Sequence, residues 1–203
     1  MTTRNLLLLM LVIMLTACSI GGPSRPSSFY VLTPVPGTPV TRTGTTSPPL
    51  SVAVGPLSLP DVLDRPQIVT RTDDNRIELA EFDRWGGDLG QDIVRVLTQD
   101  LMTRLDSDNI SAFPWSGSDK PLYQVGVRFF HFEGALGKQA RIAGTWQLLD
   151  GRRGCQLAAR RFDITQTPGG GGYSALVQAL SVGLGALSQE IAAAIVTAAP
   201  ACP

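Results

Sequence analysis

Gln67-Ile68-Val69-Thr70-Arg71, then Thr72-Asp73-Asp74-Asn75, then Arg76-Ile77-Glu78-Leu79-Ala80, is the run around which the chain is organised. Two alternating segments flank a core of Asp and Asn, which tolerate tight-turn backbone angles, so the run predicts a β-hairpin. Ile68, Ile77 and Leu79 are expected toward a core, with Arg71, Arg76 and Glu78 nearer solvent. Upstream lies Leu57-Ser58-Leu59-Pro60-Asp61-Val62-Leu63-Asp64-Arg65-Pro66. Its two prolines, Pro60 and Pro66, bracket a rigid, non-helical loop in which Asp61, Asp64 and Arg65 can pair locally. Downstream, Glu81-Phe82-Asp83-Arg84-Trp85 interleaves aromatics with charges directly before a helix signal. So dense a mixture of ionic, aromatic and proline residues is unusual for a connector.

Working outward, Asp88 is placed to cap a helix from Leu89, with Gln91 three residues on completing a capping box. Leu89, Ile93, Val96, Leu97, Leu101 and Leu105 fall on one face at helical spacing, while Gln91, Asp92, Arg95, Gln99 and Arg104 take the other. Core packing accounts fully for that stripe. Ile110 to Phe113 reads as a short strand ending at Pro114-Trp115. Residues 122–132 alternate, with Tyr123, Val125, Val127 and Phe129 on one face. Residues 140–149 repeat the pattern with Ile142, Trp146 and Leu148, and residues 155–164 return after the turn Asp150-Gly151-Arg152-Arg153-Gly154. Such short connections imply three consecutive antiparallel strands. A glycine run at 169–172 leads into a helix over about 174–198, striped by Leu176, Leu180, Leu184, Leu187, Ile191 and Ile195. Its hydropathy would allow a membrane span, but Gln178, Gln189 and Glu190 sit within it, and a charge at mid-bilayer costs at least about 2.5 kcal/mol. Burial against the sheet, or a neighbouring subunit, is the better reading.

Before the hairpin, Phe29-Tyr30-Val31-Leu32 and Leu50-Ser51-Val52-Ala53-Val54 read as strands, the second halted by Gly55-Pro56 because proline cannot continue a ladder. Residues 33–49, rich in Pro, Thr and Gly, read as a mobile loop. The expected architecture is α+β: one domain, a mixed, largely antiparallel sheet with two main helices packed on it.

The N-terminus has a different character. Arg4 precedes an apolar run from Leu6 to Leu15, too short for the ~20 residues a bilayer span needs, so it reads as an export signal. Leu15-Thr16-Ala17-Cys18 is a bacterial lipobox. It predicts cleavage after residue 17 and acylation of Cys18, and more than one acyl chain holds a protein stably on a membrane. Residues 18–28 then form a Gly/Pro/Ser tether and residues 29–203 the domain. Ser19 rather than aspartate after the cysteine favours the outer membrane, periplasmic face. Cys155 and Cys202 are the thiols left over, and an oxidising periplasm invites a disulfide between them.

Chemistry is sparse. There are 17 basic and 17 acidic side chains, so the basic footprint of a nucleic-acid binder is missing. The one histidine, His131, removes most hydrolase triads and histidine-rich metal sites. The glycine run lacks the lysine and hydroxyl of a P-loop and the spacing of a dinucleotide site, so it reads as a hinge and no cofactor is expected. Asp61, Asp64, Asp73 and Asp74 are more economically turn formers than a cation site.

The loop and corner resemble the signature of the ABC-type transport auxiliary lipoproteins, the PqiC-like family. Leu59-Pro60 and Leu63-Asp64-Arg65-Pro66 match its leucine-proline and leucine-aspartate-arginine-proline run; Glu81, Phe82, Arg84 and Trp85 match its corner. Phe29-Tyr30-Val31-Leu32 and Pro114-Trp115 agree as well. The resemblance implies a non-enzymatic outer-membrane subunit of an MCE-type intermembrane lipid-transport system that supports envelope integrity. It would dock on a periplasm-spanning MCE-domain protein linked to inner-membrane permease components, as a ring homo-oligomer. Contacts would come from Leu59, Pro60, Asp61, Leu63, Asp64, Arg65, Phe82, Arg84 and Trp85, which equally well buttress the fold, since aromatic-arginine clusters serve both ends. An assembly lipoprotein of a secretion or pilus machine, and a lipid-tethered periplasmic hydrolase, are the competing functions.

Overall fold

The computed structural model describes residues 25–40, 50–115 and 120–198, so the signal segment, Cys18 and Cys202 lie outside the described residues. The hairpin forms as expected: β3 (Gln67–Arg71) runs antiparallel to β4 (Ile77–Trp85), with Thr70 opposite Glu78 and Arg71 opposite Ile77. The Asp73 carboxylate accepts from the Asn75 N–H at 2.9 Å, closing an Asx-type turn. Ile68 is buried and Ile77 half-buried, but Leu79 is 45% exposed, contrary to expectation. The reason is lateral. The neighbouring β1 (Ser28–Tyr30) pairs only with Asp83 to Trp85, so the first half of β4 is an open edge.

The longest strand, β6 (Tyr123–Ala135), is the spine of the sheet. Along one edge it pairs antiparallel with β7 (Gln139–Asp150), which pairs antiparallel with β8 (Gln156–Gln166). Its other edge is shared: β2 (Val52–Ser58) lies parallel to its first half, and β3 meets it parallel at Gly134. Outside β2 lies the parallel β5 (Ile110–Ala112). The sheet is therefore mixed, antiparallel in the long β6–β7–β8 ladders and the β3–β4 hairpin and parallel in the remaining pairings. β2 does not stop at Pro56. It continues to Ser58 through a register shift between Val54 and Leu57, an irregularity where the missing N–H is tolerated.

Helix α1 (Leu89–Leu105) begins where Asp88 accepts from the Gln91 N–H at 2.7 Å, and the six apolar stripe residues are all buried. Helix α2 (Tyr173–Thr197) is long and apolar enough to cross a membrane by composition, yet 67% of its most apolar stretch is buried within the domain. Its small residues permit close packing. A Cβ on Gly183 would sit 3.3 Å from Ile142 of β7, and one on Gly185 would sit 3.1 Å from Val35.

Two readings are overturned here. Arg104, expected on the solvent face of α1, is 3% exposed, and its neighbour Asp100 is 1% exposed. Arg104 donates to the Gly185 carbonyl of α2 at 2.9 Å and lies 3.4 Å from the Asp100 carboxylate; Asp100 accepts from Ser188. Polar groups thus tie the two helices together inside the core. Residues 33–40, read as part of a mobile loop, form a strap across both helices. The Leu32, Thr33 and Val35 N–H groups donate to Asp92, Ser181 and Asp100, and the Val40 N–H donates to the Arg104 carbonyl. A segment without periodicity is fixed because side chains of the helices satisfy its backbone.

Candidate functional site

The signature loop and the signature corner meet. The loop closes on itself through the Leu63 N–H to the Pro60 carbonyl (2.8 Å) and the Arg65 N–H to the Leu63 carbonyl (2.9 Å). Its end is then stitched to β4: the Trp85 N–H donates to the Pro66 carbonyl at 2.7 Å, and Gln67 stands opposite Arg84. On the far side of β4, β1 runs parallel, with Phe29 opposite Arg84 and Tyr30 opposite Trp85. The Gly86 N–H donates to the Tyr30 carbonyl at 2.7 Å. Two segments distant in sequence, β1 and the loop running into β3, therefore converge on residues 83–86.

Alternation sorts the side chains of this corner. Toward the helices, Trp85 is buried, and the nearly buried Asp83 accepts from the Tyr30 hydroxyl at 2.7 Å. That bond, followed by burial, raises the Tyr30 hydroxyl's pKa, because ionisation would set two anions side by side. On the opposite face stand Phe29, Phe82 and Arg84, and the Arg25 guanidinium lies 5.8 Å from the centre of the Phe82 ring. Leu63 is buried beneath the loop, so Leu63 and Trp85 shape the corner from within. Leu59, Pro60, Arg65, Phe82 and Arg84 are half-buried, while Asp61 and Asp64 are exposed.

Local pairing of Asp61 and Asp64 with Arg65 does not occur. Among the described residues none of the three, nor Arg84 or Arg25, forms an ion pair. The Nε atoms of Arg65 and Arg84 are buried without a hydrogen-bond partner. Arginines held in place yet unneutralised offer forked donors outward. Neither the Tyr30–Asp83 tie nor the Arg25–Phe82 contact is foreshadowed locally, because a parallel pairing across more than fifty residues leaves no turn signal.

Other polar clusters lie elsewhere. Glu133, 5% exposed, holds His131 at 2.8 Å and Arg71 at 3.1 Å, tying β3 to β6. Arg141 and Asp163 form a forked pair across β7 and β8. No group of His, Cys, Asp and Glu among the described residues is arranged to hold a metal, so Asp61, Asp64, Asp73 and Asp74 are not brought together. A groove of about 770 Å³ runs between α1 and β5, lined by Leu57, Val94, Arg95 and Phe113 among others. Cys155, half-buried just before β8, is engaged rather than free, and Cys202 lies outside the described residues.

No curated protein matches the sequence. A crystal structure of an uncharacterized protein superposes with a TM-score of 0.67 at 21% identity, covering 84% of this chain and 99% of that one. A Xanthomonas campestris protein superposes at 0.63 and 15% identity, covering 83% and 96%. Likeness at these identities establishes a shared fold. The model of the ABC-type transport auxiliary lipoprotein component matches residues 30–192, from the strand beside the corner to within the last helix, and the chain belongs to that family.

Proposed function

We propose that the chain is a non-enzymatic docking subunit of an MCE-type intermembrane lipid-transport system, held by acylated Cys18 to the periplasmic face of the outer membrane. A short tether leads from the lipid to the domain, and the domain grips the end of a periplasm-spanning MCE-domain protein served by inner-membrane permease components. Copies of the chain assemble as a ring around that end and so support envelope integrity. Disulfide pairing of Cys155 with Cys202 fastens the chain's last residues to the sheet.

The observation that carries this reading is the braced corner: a proline-bounded loop is fixed to β4 while Arg65 and the carboxylates Asp61 and Asp64 stand beside it unpaired. Rigid backbone with unspent polar groups suits recognition, since little ordering is needed on binding. The test is capture of the MCE-domain protein by the acylated chain. Asp64→Ala and Arg65→Lys each remove donors or acceptors without reversing charge, and each should weaken capture about tenfold or more, as loss of a paired interface charge does. Melting temperature should be unchanged. Full capture by both variants refutes the docking role of the loop, and capture of a secretion or pilus component instead transfers the chain to another envelope machine.

A further inference from the structure

The outer face of the β1–β4 edge is apolar and basic together. Phe29 is 68% exposed and Val31 is 56% exposed, an unusual state for large apolar side chains so close in sequence. Phe82 and Arg84 lie on the same face as Phe29, because residues paired across strands share a face and alternate residues return to it. Arg25 crosses above Phe82. Neither Arg25 nor Arg84 has an acidic partner among the described residues, and Glu81 and Asp83, which flank Phe82, alternate to the other side. The patch is therefore cationic and aromatic, the combination that settles in the headgroup layer of a bilayer.

Chain length decides what covers it. Seven residue steps separate Cys18 from Arg25, at most about 25 Å even when fully extended. A domain of this size is about 40 Å across. A tether shorter than the domain's width cannot let every face reach the bilayer; the faces around Arg25 are the ones it holds there.

The geometry points to the face carrying Arg25, Phe29, Val31, Phe82 and Arg84 as a membrane-resting surface that takes anionic lipid headgroups. This rests on the lipid anchor at Cys18 and refines the proposed function: the Phe82–Arg84 part of the corner faces lipid, and the 59–65 loop is left for the protein partner. Asp61 and Asp64 on that loop would repel an anionic bilayer, which accords with the division.

The acylated full chain, reconstituted on vesicles, tests this with phenylglyoxal, an arginine-specific reagent read by peptide mass. Arg161, exposed on β8, is the internal reference. On phosphatidylcholine vesicles containing phosphatidylglycerol, Arg25 should react roughly fivefold more slowly than on phosphatidylcholine alone, while Arg161 reacts equally on both. High salt should erase the difference. Phe29→Ser, a change at an exposed position, should reduce the protection without altering the melt. Equal reactivity of Arg25 on the two vesicle types overturns the proposal; if Arg25 is strongly protected on both, the face belongs to a second copy of the chain. Mass analysis of Cys18 separates the two layers. An unacylated cysteine sinks the anchor and this surface with it, whereas an acylated cysteine with an unprotected Arg25 sinks the surface alone.

Discussion

Replacing Arg104 with methionine should be among the most damaging single changes available to this domain. Arg104 and Asp100 are 3% and 1% exposed, where α1, α2 and the strap come together. The guanidinium donates to the carbonyls of Gly185 (2.9 Å), Asp100 (3.2 Å) and Val35 (3.4 Å). Methionine fills most of the volume but leaves the Asp100 carboxylate without its counter-charge, a loss of roughly 3–5 kcal/mol for a broken buried pair. For a domain this size that is about 6–20 °C in melting temperature. Burial already raises the Asp100 pKa, and Arg104 is the foremost influence pulling it back down. Without Arg104 it rises further. A carboxyl whose folded pKa lies above its unfolded one binds its proton first in the folded state, so stability is lost as pH rises through the folded value and regained as pH falls. The Arg104→Met deficit should therefore shrink as pH falls from neutrality toward the ordinary carboxylate range. Adding Asp100→Asn should recover most of the loss, because the asparagine carbonyl can still accept from the Val35 N–H while its amide group donates to the Ser188 hydroxyl, all without a charge. Paired thermal melts by circular dichroism across that pH range read all of this. A loss under about 1 kcal/mol, or one indifferent to pH and to Asp100→Asn, would refute the account of a buried, mutually dependent pair.

Three further outcomes are expected. Cys18→Ser should give an unacylated precursor absent from the outer-membrane fraction; normal processing and unchanged fractionation would end the lipoprotein assignment for this cysteine. Peptide mass mapping without reductant should find Cys155 joined to Cys202, a link that closes a loop of about 48 residues and stabilises the fold by up to ~4 kcal/mol; two free thiols in periplasmic protein would remove it. Tyr30→Phe leaves Asp83 without its hydroxyl donor and should cost about 1–3 kcal/mol in chemical denaturation, and an unchanged midpoint would show that water replaces the bond.

Periodicity carried much of the architecture. The stripe of α1, the stripe of α2 and the β6–β7–β8 meander were all legible, because helical and strand spacing are local and short turns leave little freedom in pairing. The parallel contacts were not. β1 against β4 and β2 against β6 join segments more than fifty residues apart, and nothing local records which strand a segment joins. Arg104 was misread because a charge in an amphipathic pattern is assigned to water by default, and the helix that buries it lies eighty residues downstream. At the corner, residue types and spacing marked the place, but not that Leu63 and Trp85 would turn inward while Arg65 and Arg84 kept unpaired groups.

The strap has a mechanical consequence. A pull applied ahead of Arg25 enters the domain through β1 and passes directly into the strap. β1 lies parallel to β4, so a load along it shears several ladder bonds at once instead of unzipping them singly. Beyond it, the Leu32, Thr33 and Val35 amides are hooked to Asp92 and Asp100 on α1 and to Ser181 on α2. Tension is thereby divided between both helices at successive anchor points, and the braced corner beside β1 is spared the peeling force that would deform it.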